Sequence, residues 1–393
     1  MTIGEHGVAA PAAAPASSGL RVSFAPAAER IDALREEWRA LAARTSEPNA
    51  FAEHWFVAPS IRHLQPEEVR IAEVRDGDLL VGLLPLAVER RYGRTPVRFV
   101  QNWRHHHQFL GAPLVRQGRE ADFWRALLIA LDRSHWAPGF LHLRDLVEGG
   151  PLHRGLAAAS AELRRSASTV HRESRAFLES NLPAADYYSQ TVRKKKRKEL
   201  ARLRNRLMEL GSLTTRIFKP GDDLAAWCDA FLELERSGWK GREGSALACS
   251  AATEHFFRDA LAGAEEAGQL QLLALELDNR PIAMLVNFLA PPGSFSFKTA
   301  FDEAFARFSP GVLLQIENLA ILERPEIAWM DSCAAEQHPM IESLWGERRA
   351  LVRVTVSLSG PRRRLVHAAA RSLERLSAAR RGRGRPVSDG ESE

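Results

Sequence analysis

The sequence is poor in cysteine and has no long apolar run. Its 393 residues include three Cys, far apart and without C-x-x-C spacing, which argues against a disulfide framework or a cysteine zinc site. No stretch of about 18 apolar residues exists to cross a membrane. The first 19 residues are rich in Ala and Pro and lack the charged start and apolar stretch of a secretory signal. These absences predict a protein of the reducing cytoplasm with a disordered extension at residues 1–19.

Charge is distributed unevenly along the chain. The net charge is +5, and residues 361–393, with nine Arg against four acidic residues, account for all of it. Residues 1–360 are therefore neutral on balance, and charge alone does not make them a nucleic-acid-binding surface. A chain of 393 residues exceeds the roughly 250 at which a single core usually divides, so two domains are expected.

Residues 270–330 follow a pattern of three strands, a turn, a helix and a further strand. Apolar runs separated by the turns at 278–281 and 291–293 predict three antiparallel strands. Apolar residues at helical spacing predict a helix over 311–322, and 326–330 reads as a strand. The Pro310-Gly311 turn before the helix leaves backbone N–H groups beside the positive end of the helix dipole. Such a turn is suited to a phosphate of a nucleotide or of coenzyme A, although Pro also begins many helices for structural reasons alone.

This order of elements resembles the core of the GNAT acyltransferases. Within residues 187–357, the segments FLELERSGWKGREGSAL, FKTAFDEAFARFSPGVLL and MDSCAAEQHPMIESLWGERR resemble the CelD-like branch, which is associated with cellulose and exopolysaccharide synthesis and is related to the Fem-type aminoacyltransferases. The usual phosphate signature Q/R-x-x-G-x-G/A would fall on 307–312, where both of its glycines are replaced. The resemblance implies an α/β (α+β) fold, with a mixed, mostly antiparallel sheet flanked by helices.

The resemblance also implies the ligands. The co-substrate would be acetyl-CoA or a longer acyl-CoA, without a metal, lying across the third strand with its pyrophosphate on the following turn. The acceptor would be a small-molecule or saccharide amine. The coenzyme is then assigned to Lys298, Ser309, Pro310, Gly311, Val312 and Leu313, and the acceptor to Trp239 and Lys240.

Transfer of an acyl group to an amine requires a neutral amine and an exit for the thiolate. Three carboxylates at the ends of elements around the expected cleft are candidates for deprotonating the amine, namely Glu235, Asp302 and Asp331. Each of them can equally serve as a helix cap or a salt-bridge partner. For protonation of the thiolate, no Tyr follows position 188, and His338 is the group with a near-neutral pKa in the relevant segment. Cys333 and Ser332 are less suitable alternatives, and a Cys after a strand is usually just buried.

The first half repeats the same order of elements. Helices over 31–43 and 51–64, a hairpin around Asp76-Gly77, a strand over 97–103, a helix over 121–131 and a strand over 140–143 are expected. We therefore predict tandem GNAT-like domains, a degenerate one at 20–183 and an acetyltransferase one at 184–360. The adjacent histidines of the loop NWRHHHQFLGAPL cannot all face one metal from a strand, and an acceptor-binding loop is favoured over a zinc site.

Two basic segments have more than one possible binding partner. Six consecutive cations at 193–198 begin a predicted helix. They can form a solvated end of that helix, or they can contact a phosphate of the coenzyme or of a tRNA. The tail at 361–393 is predicted to form a basic amphipathic helix, which suits an anionic membrane surface, a synthase complex or plain solvent exposure. An enzyme at the inner face of the membrane, a tRNA-dependent Fem-type transferase and a non-catalytic scaffold of a polysaccharide synthase thus remain distinct hypotheses.

Overall fold

The computed structural model describes residues 19–64 and 68–383, and for residues 376–383 it describes the backbone alone. The expected disordered extension therefore lies almost wholly outside the described residues, as do the last ten residues of the basic tail. Among the helices of the described part, none is long and apolar enough to span a membrane.

The described strands belong to one mixed, mostly antiparallel sheet that is flanked by helices, as the sequence predicts. The elements of the first half are, in chain order, β1 (Arg21–Pro26), α1 (Ala27–Arg30), α2 (Arg35–Ala42), α3 (His54–Leu64), β2 (Arg70–Asp76), β3 (Leu79–Glu89), β4 (Phe99–Asn102), β5 (Leu114–Val115), α4 (Glu120–Arg133), β6 (Phe140–Val147), α5 (Pro151–Glu162) and β7 (Ala167–Glu179).

The elements of the second half are α6 (Ala184–Thr191), α7 (Lys194–Met208), β8 (Leu213–Ile217), α8 (Leu224–Ser237), α9 (Trp239–Arg242), α10 (Ala251–Glu266), β9 (Leu270–Leu277), β10 (Arg280–Ala290), β11 (Gly293–Phe301), α11 (Pro310–Glu317), β12 (Trp329–Asp331), β13 (Glu347–Ser357) and α12 (Pro361–Arg383). Short 3-10 turns cover Ala50–Ala52, Leu247–Cys249, Glu303–Phe308 and Asn318–Glu323. At the predicted hairpin turn between β9 and β10, Asp278 and Asn279 both have positive φ, 51° and 64°, as a tight two-residue turn requires.

The two halves exchange strands at the centre of the sheet. The strand order is β1-β2-β3-β4-β6-β13-β7-β12-β11-β10-β9-β8, with β5 paired to β3 outside this path. From either edge, a run of strands from one half leads to the centre, where strands of the two halves alternate. Each half builds an antiparallel run that ends in a parallel pair, β4 with β6 and β11 with β12. The last strand of each half then pairs across, because β7 lies beside β12 and β13 lies beside β6. The predicted boundary at 183/184 stays a prediction, since the sheet is continuous across it.

A shared apolar core reinforces this continuity. Phe51 of the first half packs edge-on against Phe295 of β11, with ring centroids 5.2 Å apart. Trp55 on α3 packs against Phe288 of β10 at 4.9 Å. These aromatic side chains belong to a single buried cluster that spans both halves, so neither half closes its core alone.

A buried ion cluster lies at the exchange point. Asp331, at the end of β12, has no exposed surface, and both of its oxygens face cations. Arg175 of β7 approaches with Nε at 2.6 Å and Nη2 at 2.7 Å, and Arg349 of β13 with Nη1 at 3.0 Å. Burial acts to raise the pKa of Asp331, but the charges of Arg175 and Arg349 outweigh it and hold that pKa below its ordinary value. The Cys333 amide donates to the same carboxylate at 2.9 Å, and Arg175 also donates to the carbonyl of Phe109.

Replacing Asp331 with Asn should remove the charge that balances two buried guanidinium groups. We expect the free energy of unfolding to fall by about 3–5 kcal/mol, measured by urea denaturation. Because the folded-state pKa of Asp331 lies below its ordinary 3.8, the contribution is complete above that pH and is lost as pH falls through the folded pKa. The difference between wild type and D331N should therefore shrink in strong acid.

The matched control is Glu326→Gln, which breaks the exposed pair between Arg324 and Glu326. That variant should unfold almost like the wild type because solvent screens the pair. Equal stability of D331N and the wild type at pH 7 would contradict a structural role for the cluster.

Candidate functional site

Strand β12 is short and ends at Asp331, beside Phe295 of β11. Their parallel pairing covers Gly293 to Phe295 on β11, whereas β11 itself continues to Phe301. On that side, the described residues offer no strand partner to β11 beyond Phe295. The end of β12 leaves a cleft whose wall is a free strand edge, with backbone donors and acceptors available to a ligand.

A β-bulge in β11 sets the direction of its side chains at the cleft. Val286 of β10 pairs with Lys298, and Asn287 pairs with Ser296, so Phe297 is an extra residue. Phe297 and Lys298 therefore share a face, and the Lys298 ammonium lies 5.5 Å from the Phe297 ring centre. A regular strand would place Phe295, Phe297 and Thr299 on one face, and the bulge breaks this alternation. Thr299 instead turns towards Gln315 of α11.

Lys298 faces a carboxylate and a second lysine from the neighbouring helices. Glu235, buried near the end of α8, accepts from Lys240 Nζ at 2.8 Å and from the Leu247 amide at 2.8 Å. Burial lowers the pKa of Lys298 to about 8, although Glu235 opposes the shift. For Glu235, burial acts to raise the pKa, but Lys298 and Lys240 outweigh it, so the pKa is lowered and the carboxylate stays charged.

The turn carrying Trp239 and Lys240 is built on Gly241. A Cβ at Gly241 would lie 1.7 Å from the carbonyl oxygen of Arg236, so the close approach of this turn to α8 requires glycine. The Trp239 amide donates to Glu303 Oε1 at 2.6 Å, and its side chain is 49% exposed. A cavity of about 30 Å³ separates this turn from Thr299–Phe301. The turn therefore holds Lys240 in the site and presents a flat indole at its rim.

Histidines of the first half reach the same place. His107 stacks on Phe256 of α10, with ring centroids 5.7 Å apart. Burial first, and then the Lys298 ammonium, lower the pKa of His107 to about 3. His105 stacks on Phe56 and its Nε2 lies 3.0 Å from Ser60 Oγ. Both rings are thus neutral at physiological pH. Among the described residues, no group of three or more His, Cys, Asp or Glu is arranged to hold a metal ion.

His338 joins the cluster from the loop after β12. Its pKa is lowered by burial and by the charge of Lys240, with Glu342 opposing. Its Nδ1 is enclosed and has no hydrogen-bond partner in the described part of the chain. A lowered pKa leaves the imidazole neutral at pH 7, which suits acceptance of a proton better than donation.

Of the predicted set, Glu235, Lys240 and Lys298 lie close enough for their charges to shift one another's pKa. The charge of Lys240 also lowers the pKa of His338, and that of Lys298 lowers the pKa of His107. Two other predicted residues have other contacts. Asp302 caps the 3-10 turn through the Ala304 amide at 2.9 Å and pairs with Arg280 at 2.8 Å. Asp331 is saturated by the ion cluster described above. Their assignment as catalytic groups stays a prediction, with these contacts as the alternative role.

The predicted coenzyme turn lies between the 3-10 turn and α11. Ser309 adopts φ 53°, and its carbonyl accepts from the amides of Val312 and Leu313 at 3.0 and 3.1 Å. Pro310 has no N–H, so the Gly311 amide is the donor of this turn without an acceptor among the described residues. A Cβ at Gly311 would lie 3.0 Å from Met340 Cε and 3.4 Å from Phe301 Cδ1. The turn therefore offers fewer free amides than the sequence suggests, and it is tightly packed.

A buried polar network lies beneath β11, and the sequence pattern did not predict it. Gln315 of α11 donates to Ser296 Oγ at 3.2 Å, and Asn318 donates to Gln315. Asn287 of β10 donates to Asn318 Oδ1 at 2.7 Å. This network fixes α11 against β11, so the turn at 309–312 has a defined position relative to the cleft. Polar residues within apolar runs were its only signal in the sequence.

Cys333 does not have the properties of a nucleophile. It is buried, and burial together with the Asp331 carboxylate raises the pKa of its thiol well above the ordinary range. A thiol held in its neutral form reacts slowly. A mechanism in which Cys333 attacks as a nucleophile, with His338 as its base, is therefore disfavoured.

Residues 194–338 match the sequence model of a family described as an acetyltransferase (GNAT) domain. No curated protein matches the chain. The crystal structure of FemX is similar with a TM-score of 0.59 at 11% identity, covering 86% of this chain and 98% of that one. A conserved protein of unknown function from Bacteroides thetaiotaomicron gives 0.53 at 12% identity, covering 83% and 97%. The C-terminal domain of a protein described as a putative lysylphosphatidylglycerol synthetase from Agrobacterium fabrum gives 0.50 at 12%, covering 89% and 96%. These structures show a shared fold.

Replacing Glu235 with Gln should lower the pKa of Lys298 below about 8, because the carboxylate is the charge that favours the ammonium. The titration can be followed by NMR of ¹³C-methylated lysines, with K298R identifying the signal. Glu233→Gln changes an exposed residue of the same helix that pairs with Arg236, and it should leave the titration unchanged. A Lys298 pKa that is the same in E235Q and the wild type would show that the two groups are not coupled.

Proposed function

We propose that the protein is an acyl-CoA-dependent N-acyltransferase acting on an amine acceptor. The observation that carries this proposal is the free edge of β11 beside a half-buried lysine, within the segment that matches a GNAT domain. A thioester laid along that edge would present its carbonyl to a backbone donor and to a positive charge, which acyl transfer requires.

The residues present fit the coenzyme at two points. The Gly311 amide is an unused donor at the start of α11, where the helix dipole favours a phosphate. The free edge of β11 suits the amides of the pantetheine arm. When bound, the coenzyme supplies the activated thioester. Ser309 to Leu313 would hold its pyrophosphate, and β11 would align the arm towards Lys298.

The proton transfers are assigned to His338 and Lys298. Attack of the acceptor amine on the thioester carbon forms a C–N bond and breaks the C–S bond. Neutral His338 takes the proton that the amine loses, and the Lys298 ammonium stabilises the oxygen charge and gives a proton to the departing thiolate. Glu235 keeps Lys298 charged and holds Lys240 in place. The role of His338 as proton acceptor replaces the proton donation suggested by the sequence, because its pKa is lowered.

The pH profile of turnover follows from these assignments. Activity should fall as pH rises through about 8, because Lys298 loses its proton, and should fall at a pH below 6.5, where His338 becomes charged. K298M should lose about 10²-fold or more in kcat together with the alkaline limb. H338Q should lose about 10²-fold together with the acid limb, while coenzyme affinity by calorimetry is retained.

E233Q is the control and should keep the wild-type profile. If the pH profiles of turnover of K298M and H338Q match that of the wild type, the proposed proton-transfer roles of Lys298 and His338 are refuted. Failure of the wild type to bind any acyl-CoA, in a series of increasing chain length, would leave the tRNA-dependent transferase and the non-catalytic scaffold as the alternatives.

The acceptor is proposed to be a saccharide amine of polysaccharide or cell-envelope synthesis. The sequence resemblance to the CelD-like branch motivates this, and the half-exposed Trp239 supports it, because an indole face suits a sugar ring. His105 and His107 line the site from the first half, which supports acceptor contact by that loop.

The Fem-type alternative is favoured by one observation. The cations at the start of α7 are mostly exposed, as a tRNA contact would require. Activity that disappears after RNase treatment of the reaction, and returns with charged tRNA, would support this alternative. Activity with acyl-CoA in RNase-treated protein supports the main proposal.

Helix α12 is proposed to bind an anionic membrane. Val366 and Ala370 pack on the first half beside Phe99 and Phe140, whereas Leu365 and Leu373 are exposed among arginines. An exposed face of leucine and arginine suits an anionic lipid surface.

We therefore expect L365D/L373D to lose binding to vesicles containing phosphatidylglycerol, with turnover on a soluble acceptor unchanged. Substitution is preferable to truncation of the chain after Gly360. Truncation would remove Val366 and Ala370 and so expose Phe99 and Phe140. S372A, which changes an exposed residue beside Leu373 without removing a leucine or adding a charge, is the control and should keep vesicle binding. Equal vesicle sedimentation of L365D/L373D and the wild type would exclude the membrane role.

A further inference from the structure

A groove with a basic rim runs between α7 and α11, on the opposite face of β11 from the Lys298 cluster. Its volume is about 490 Å³, within the usual range for a small-molecule site. The floor is apolar and includes Leu200, Leu313 and Ile316. Tyr188 borders it with a half-buried ring.

The rim of this groove carries uncompensated positive charge. Lys194, Arg197 and Lys198 line it, and no carboxylate among the described residues pairs with any of the three. Arg204, in contrast, is neutralised by Glu317 at 2.5 Å. The guanidinium Nε of Arg197 is enclosed and has no hydrogen-bond partner in the described part of the chain.

The position of these cations is unfavourable without an anion. They stand in the first turns of α7, where the helix dipole is positive, and the first turn contains no acidic residue. An anionic ligand in the groove would relieve both the mutual repulsion and the unfavourable dipole interaction. An apolar floor beside such a rim suits a ligand with a flat apolar part and at least one phosphate.

The groove shares one residue with the coenzyme turn of the proposed function. Leu313 belongs to both, because it lines the groove and its amide closes the turn at Ser309. We propose that the groove binds the adenosine 3′-phosphate end of coenzyme A. The adenine lies on the apolar floor beside Tyr188, and Arg197 and Lys198 contact the 3′-phosphate. This inference rests on the proposed use of acyl-CoA and adds a subsite that selects coenzyme A over its 3′-dephospho form.

Calorimetry with coenzyme A and with 3′-dephospho-coenzyme A tests the subsite. The wild type should bind coenzyme A at least tenfold more tightly than the dephospho form. R197Q/K198Q should bind both ligands equally, at the wild-type affinity for the dephospho form. K195Q removes an exposed cation of the same run that does not line the groove, and it should keep the full preference.

The outcomes separate the two claims. Equal binding of both ligands by the wild type overturns the subsite and leaves the proposed function standing. Absence of binding by either ligand overturns both. If R197Q/K198Q still prefers coenzyme A over its 3′-dephospho form, the 3′-phosphate binds elsewhere, and the subsite is also overturned. Loss of bulk tRNA binding by R197Q/K198Q with an unchanged coenzyme preference would assign the groove to RNA instead.

Discussion

The carboxylate of Asp331 is completely enclosed, and it stays charged because Arg175 and Arg349 reach it from the two strands that the halves exchange. A buried charge of this kind is tolerated only when its partners are fixed, so the cluster favours one register for β7, β12 and β13. The register in turn determines where β12 ends and where β11 begins to run free. The cleft of the proposed active site is therefore a consequence of the exchanged strands.

The exchange also explains why the site contains groups from both halves. The shared core, in which Phe51 and Trp55 pack on the strands of the second half, holds the loop of His105 and His107 near enough to Lys298 for its charge to lower the pKa of both rings. Neutral imidazoles beside two lysines and one carboxylate give a partly enclosed site with a small positive balance. Such an environment stabilises a negative thioester oxygen and disfavours a protonated amine.

The two faces of β11 have different roles in the proposed function. One face, after the bulge, presents Phe297 and Lys298 to the reacting atoms. The other face carries the polar network that fixes α11, and with it the coenzyme turn and the groove beside α7. One extra residue in a strand is enough to separate these roles, because it shifts every later side chain to the opposite face.

Local pattern was sufficient for much of the fold, and it named candidate site residues that stay predictions. Hairpin turns such as Asp278-Asn279, apolar runs and helical spacing predicted most strands and helices, because those signals depend on residues close in sequence. Lys240 and Lys298 were implied by the resemblance to the GNAT acyltransferases, and Glu235 and His338 were chosen by residue type and by their place at the expected cleft. Local pattern predicted no strand at β7 or β13, because these strands pair with distant parts of the chain. Arg175 of β7, for example, is 156 residues from its partner Asp331. Three features depended on tertiary structure alone: the enclosure of Asp331 by two arginines, the change of face at Lys298, and the effect of the Lys298 charge on His107. Burial and pKa depend on neighbours from distant elements, and a single sequence does not specify which of those elements meet.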